Sequence, residues 1–200
     1  MPIRPPLPHV KDANILFLDT ETGGLSAART DIIEIGCVLT DPSGRTVIEE
    51  WEAMVIPTRP VEPEAARING YDAVKWAAEG TTLANAMVKV LGMARGAVMC
   101  CHNAPFDKAF VEAALAACRL RWTGRYHTLC TVSIAQPFLR KGLVNDVKLE
   151  TLAGFFGVPV SDAHRALPDA RTCRGVYLAM QDVLEPAIDA FAAARLRKES

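Results

Sequence analysis

The chain has 200 residues, half of them hydrophobic and 22% charged, a make-up that suits one soluble globular domain able to bury about 70% of its surface. Its 22 Lys and Arg nearly cancel its 23 Asp and Glu, which excludes both a polycation that coats nucleic acid and a highly charged disordered segment, so any anionic partner must be bound locally. The sequence has no apolar window of about eighteen residues and no apolar leader, so no membrane partner is expected, and six cysteines without C-x-x-C spacing (Cys37, Cys100, Cys101, Cys118, Cys130, Cys173) read as buried thiols of a cytoplasmic protein.

Residues 1–12 are expected to form an extended arm, with prolines at 2, 5, 6 and 8, ahead of a single domain over 13–200. Residues 14–19 (NILFLD), 32–39 (IIEIGCVL) and 46–56 read as three strands, the last two joined by the turn Asp41-Pro-Ser-Gly44, which favours an antiparallel start. A short helix near 62–67, a turn at Asn69-Gly70 and an amphipathic helix over 83–94 follow, then a buried strand at 97–101. Pro105 opens a helix running to Cys118, and 126–136 is ambiguous from its pattern. Residues 148–156 form a helix stopped by Gly157, Pro168 opens one to about Leu184, and a last helix covers 185–197 with Pro186 near its start. Strands first and then a strand-helix alternation make an α/β sheet covered by helices.

Asp19 and Glu21 end the first strand as D-T-E, and positions i and i+2 of a strand point to one side. Converging carboxylates repel unless a proton or cation sits between them, which suggests a divalent metal. Alone the pair reads more readily as a solvated turn, since composition yields about 0.7 D-x-E in this length. His-x4-Asp is more informative: it occurs at His102/Asp107 and at His164/Asp169, against about 0.2 expected by chance. Each Asp also follows a helix-opening proline, so simple helix-start electrostatics competes with a functional reading. If strand and helix ends deliver Asp19, Glu21, Asp107 and Asp169 to one point, the four form a hard-ligand cluster for two Mg²⁺ or Mn²⁺ ions. The matching chemistry is two-metal phosphodiester hydrolysis, with His164 the best-placed imidazole to take a proton from water.

These residues resemble a known family, the DEDDh 3′–5′ exonucleases, which includes the proofreading epsilon subunit of bacterial DNA polymerase III. The resemblance is carried by residues 16–25 (LFLDTETGGL), 102–110 (HNAPFDKAF) and 164–170 (HRALPDA), with weaker echoes at 33–36 (IEIG), 68–71 (INGY), 129–131 (LCT) and 149–153 (LETLA). It implies a ribonuclease-H-like fold with a mixed five-stranded sheet flanked by helices. It also implies two divalent cations on Asp19, Glu21, Asp107 and Asp169, with His164 rather than His102 as general base. Thr22, Gly23 and Leu25 would hold the terminal nucleotide, and His102 and Asn103 would line the same cleft.

The activity implied is release of nucleoside monophosphates from the 3′ end of single-stranded or frayed DNA, in proofreading or repair, with a polymerase or other replication or repair protein as partner. Two departures stand out: Gly23 replaces the second of the two threonines the family often has, and the near-neutral charge is unusual for a tight nucleic-acid binder. The chain also ends at Ser200, so a clamp or polymerase contact is not implied by a tail. Rival readings are a 3′–5′ exoribonuclease of the same superfamily and a catalytically silent module presenting Leu184, Ile188, Phe191 and Leu196 to a partner, although such a stripe more often packs on its own core.

Overall fold

Strict alternation along the first strand sets the architecture. The computed structural model describes residues 9–161 and 164–199, the last three by backbone alone. Strands β1 (Ile15–Thr22), β2 (Ile32–Thr40), β3 (Val47–Met54), β4 (Val98–Cys101) and β5 (Thr128–Cys130) form one sheet in the order β3-β2-β1-β4-β5. The β1–β2 and β2–β3 pairs are antiparallel, β1–β4 and β4–β5 parallel, so the expected mixed five-stranded sheet is present. Around it lie α1 (Pro63–Asn69), α2 (Ala73–Glu79), α3 (Leu83–Met93), α4 (Ala104–Ala117), α5 (Thr131–Arg140), α6 (Leu149–Phe156) and α7 (Ala166–Glu199).

Leu16 and Leu18 of β1 pack with α3 and α4, whereas Ile15 and Phe17 pack with Leu167, Ala170 and Cys173 of α7. Both faces of the central strands are therefore apolar and buried, which is why residues 14–18 and 32–39 read as near-continuous hydrophobic runs. The β2–β3 turn has the chemistry its sequence indicates: the Asp41 carboxylate accepts from Ser43 Oγ (2.8 Å), and Gly44 takes φ +77°.

Several expectations need correction. The ambiguous stretch 126–136 divides into β5 and α5, a three-residue strand being too short to show a period. Helix α2, absent from the sequence reading, is capped by Asp72, whose carboxylate accepts from the Val74 and Lys75 N–H groups. The two terminal helices are one, α7, which continues through Pro186. From Asp182 onward it stands largely clear of the sheet: of the stripe, Leu184 is partly covered, while Ile188, Phe191 and Leu196 are exposed and do not pack on the core. Val10–Asp12 form one turn of 3-10 helix, and the expected arm over residues 1–8 lies outside the described residues. Among the described residues, no helix is long and apolar enough to cross a membrane.

Candidate active site

The same alternation places the chemistry. Odd-numbered positions of β1 face α7, so Asp19 and Glu21 emerge beneath the first turn of that helix, which carries Asp169. One carboxylate oxygen from each of Asp19, Glu21 and Asp169 lies within 4.8 Å of the others. Asp107 does not join that trio. It comes from α4 on the opposite face, where its Oδ1 accepts from the Thr20 N–H (3.1 Å) and the Thr20 hydroxyl (2.9 Å).

Asp107 is nevertheless close enough to raise the proton affinity of both β1 acids. Burial, then the charges of Asp107, Glu21 and Asp169, push the Asp19 carboxyl well above its ordinary range. Burial, followed by Asp169, Glu34 and Asp107, raises Glu21 to about 7 against the opposing pull of Arg165. Burial also raises Asp107 to about 7, opposed by its Thr20 hydrogen bonds. Asp169 is raised by burial, against the His164 N–H that donates to its Oδ2 at 3.1 Å.

The two histidines differ. His102 is largely enclosed, with its Nδ1 2.8 Å from Thr131 Oγ1, and burial depresses it to about 4. His164 is exposed, with φ +65°, and shares a cavity of about 430 Å³ with His102, Lys148, Glu150 and Asp169. A second cavity, about 280 Å³, opens on the other side of Glu21 and is lined by Thr22, Gly24, Leu25, Ile68 and Phe106. Leu25 is 86% exposed there. Gly23 is buried: its N–H donates to Asp31 O (2.8 Å), its carbonyl accepts from Glu62 N (2.7 Å), and Gly24 is the glycine at the cavity wall. Asn103, exposed at φ +63°, precedes α4.

With acids, imidazoles and cleft arranged in this way, the decisive comparison is with known families. The family model for RNase T exonucleases matches residues 16–177. The chain belongs to this exonuclease family. Similar relatives include the epsilon subunit of DNA polymerase III from Treponema pallidum, 31% identical over 81% of this chain and 74% of its own length. A PolC-type DNA polymerase III from Caldanaerobacter subterraneus is 29% identical over 87% of this chain, which spans only 12% of that polymerase. The exonuclease also superposes on E. coli exonuclease I in complex with a dT13 oligonucleotide, with a TM-score of 0.76 and 20% identity over 89% of this chain and 43% of that one. The fold is thus ribonuclease-H-like, and the protein is a nuclease.

Sequence reasoning noted residues 33–36 only as an echo of the family and gave no role to Glu34 and Gly36, the groups that seat Asp169 and His164 in the nuclease. Glu34 and Gly36 of β2, two apart, share the face that meets α7. Buried Glu34 pairs across β1–β2 with Glu21 and accepts from Arg165 Nε, 3.0 Å from both carboxylate oxygens, and from the Ala166 N–H at 3.2 Å. Gly36 pairs with Asp19, and a methyl group on it would overlap the backbone of Ala166 and Leu167. The available signal was a lone carboxylate and a glycine inside the otherwise apolar run IIEIGCVL.

Proposed function

We propose that this exonuclease removes nucleoside monophosphates from the 3′ end of single-stranded or frayed DNA, using two divalent cations, Mg²⁺ or Mn²⁺, held by Asp19, Glu21 and Asp169 with Asp107 alongside. The observation that carries this reading is the convergence of three carboxylate oxygens within 4.8 Å, beside a cavity bearing His164. The donor set fits such ions: it is hard, partly buried and mutually repelling, so its acids hold protons that cations can replace. When bound, the cations supply the charge that activates water and stabilises the departing oxygen at phosphorus.

The remaining work falls to the chain's own side chains. His164, exposed at the cavity mouth, takes the proton from the attacking water. His102 is poorly suited to that step, because burial depresses it to about 4 and Thr131 occupies its Nδ1. Thr22 and Leu25 line the second cavity, where Leu25 and Phe106 offer an apolar seat for a terminal base. Gly23 shapes this loop from behind, and His102 and Asn103 border the cleft. DNA is favoured because similar proteins are DNA polymerase chains and a similar structure holds a dT13 strand; the likeness to a polymerase subunit supports a polymerase partner.

Oligonucleotides labelled at the 5′ or the 3′ end, incubated with Mn²⁺ or with EDTA, test the reading. A 5′-labelled DNA strand should shorten one nucleotide at a time, EDTA should stop the reaction, and a matched RNA strand should react more slowly. Shortening from the 5′ end, undiminished activity in EDTA, or a preference for RNA would overturn it.

A further inference from the structure

Residues 113–145 contain five of the chain's 22 Lys and Arg and none of its 23 Asp and Glu, although the whole chain carries a net charge of only −1. The first part of this stretch leaves α4 and leads into β5, the edge strand of the sheet. Arg119, Arg121, Tyr126 and His127 are exposed there, Tyr126 by 84%. Among the described residues, neither Arg119 nor Arg121 has an ion-pair partner, whereas Arg45, Arg59, Arg67, Arg165 and Arg171 all do. Lys108 Nζ sits 5.5 Å from the centre of the Tyr126 ring, and the His127 ring meets Tyr126 edge-on at 5.5 Å. Behind them is a largely apolar cavity of about 190 Å³, walled by Val111, Leu115, Trp122 and Tyr126, where the one carboxylate, Glu112, is paired with Lys108 at 3.9 Å.

This edge connects to the cleft. Strand β5 runs from Thr128 to Cys130 and delivers Thr131 to His102 at 2.8 Å. The three residues of β5 span about 10 Å, while α4 holds Asp107 in its first turn and Arg119 just past its last, about 20 Å along the helix, so the basic edge lies several nucleotides upstream of the candidate active site.

We propose that this edge is a second contact surface for single-stranded nucleic acid, taking the stretch of polymer upstream of the nucleotides in the cleft. Arg119 and Arg121 meet phosphates, and the Tyr126 ring stacks on a base. Unpaired cations keep their full charge for phosphate, and base–aromatic stacking serves any sequence because every base has a π-face. The proposal rests on the nucleolytic reading for the identity of the polymer. It would let a chain of near-zero net charge grip a polyanion locally, through two cations that no carboxylate opposes.

Binding is measured by fluorescence anisotropy in EDTA, with DNA strands of about sixteen and about four nucleotides over a range of salt. The proteins compared are the parent, Arg119→Asn with Arg121→Gln, and Tyr126→Ala; asparagine is chosen because residue 119 has φ +55°. The double variant should bind the long strand about tenfold more weakly, with a salt slope smaller by about 1.4, or about 0.7 per lost phosphate contact. Tyr126→Ala should cost about tenfold with the slope unchanged, and neither variant should alter binding of the short strand or the melting temperature. Parent-like affinity and slope in both variants would overturn the proposal. So would a loss confined to binding of polyglutamate, which would mark the edge as a docking site for acidic proteins. The nucleolytic reading fails separately: a parent that does not cut DNA with Mn²⁺ yet shows this length-dependent binding retains the surface without the activity.

Discussion

Asp19 and Glu21 share a strand face, with Thr20 between them turned to the other, and Asp169 is lowered onto the same point, so three negative groups meet where burial weakens their hydration. Replacing one of them relieves repulsion while removing a ligand. Asp19→Asn should therefore raise the metal-free melting temperature by about 2–4 °C, corresponding to about 1 kcal/mol for a chain of this size, and reduce hydrolysis to background. Calorimetry without metal and an oligonucleotide assay with it check both halves, and a fall in melting temperature would show that Asp19 is held by favourable contacts. The imidazoles are separable in the same way. His164→Ala should lower kcat by about 10²–10⁴-fold with KM little changed, measured by steady-state kinetics on a short DNA strand. His102→Ala should act more weakly on kcat, because that ring is enclosed and tied to Thr131.

At the level of elements, the site depends on how closely α7 approaches β2, and Gly36 sets that distance. Gly36→Ala should destabilise the fold by about 1–3 kcal/mol, since the added methyl meets backbone that cannot move aside. It should also shrink the melting-temperature rise produced by Mn²⁺, because Asp169 rides on the displaced turn. Gly92→Ala is the control: this exposed glycine near the end of α3 has open space around it, and the change should stabilise by about 0.5–1 kcal/mol. Denaturant melts of both variants, with and without Mn²⁺, read the difference. These elements also show what a sequence discloses. The strands of the first half were legible because apolar runs and turn chemistry mark them, and Asp19, Glu21 and Asp169 because their motifs sit at element ends. The division of labour between the two sheet faces was not, since it is fixed by which helix packs where: Asp107 approaches the other acids from the α4 side, tied to Thr20. The three-residue β5 and the passage of α7 through Pro186 escaped for a similar reason, tertiary packing overriding weak local signals.

For the whole molecule, two groups of carboxylates pull stability in opposite directions with pH. Arg171 holds Glu50 below its usual range, and Asp31, despite burial, is held low by hydrogen bonds from Arg59 and Thr58. Their contribution is present above the ordinary carboxylate range and is lost on acidification. Glu21 and Asp107 behave oppositely. Both keep protons in the folded state up to about 7, whereas the unfolded chain releases them near 4. Between those limits the folded state binds more protons, so stability declines as pH rises and their contribution is gone above about 7. For Glu21 alone the change is on the order of 3 kcal/mol. His102, depressed to about 4 by burial, works the other way between about 4 and 6.5 and offsets part of this decline. With two acids set against one imidazole, the metal-free protein should still melt progressively lower from about pH 5 toward pH 8. Divalent cations compete with the same protons, so the rise in melting temperature caused by Mn²⁺ should be small near pH 5 and grow toward pH 8. A matrix of thermal melts across pH, with EDTA or Mn²⁺, measures both trends. A metal effect independent of pH would place the cation away from these acids, because displacement of their protons is what links the two.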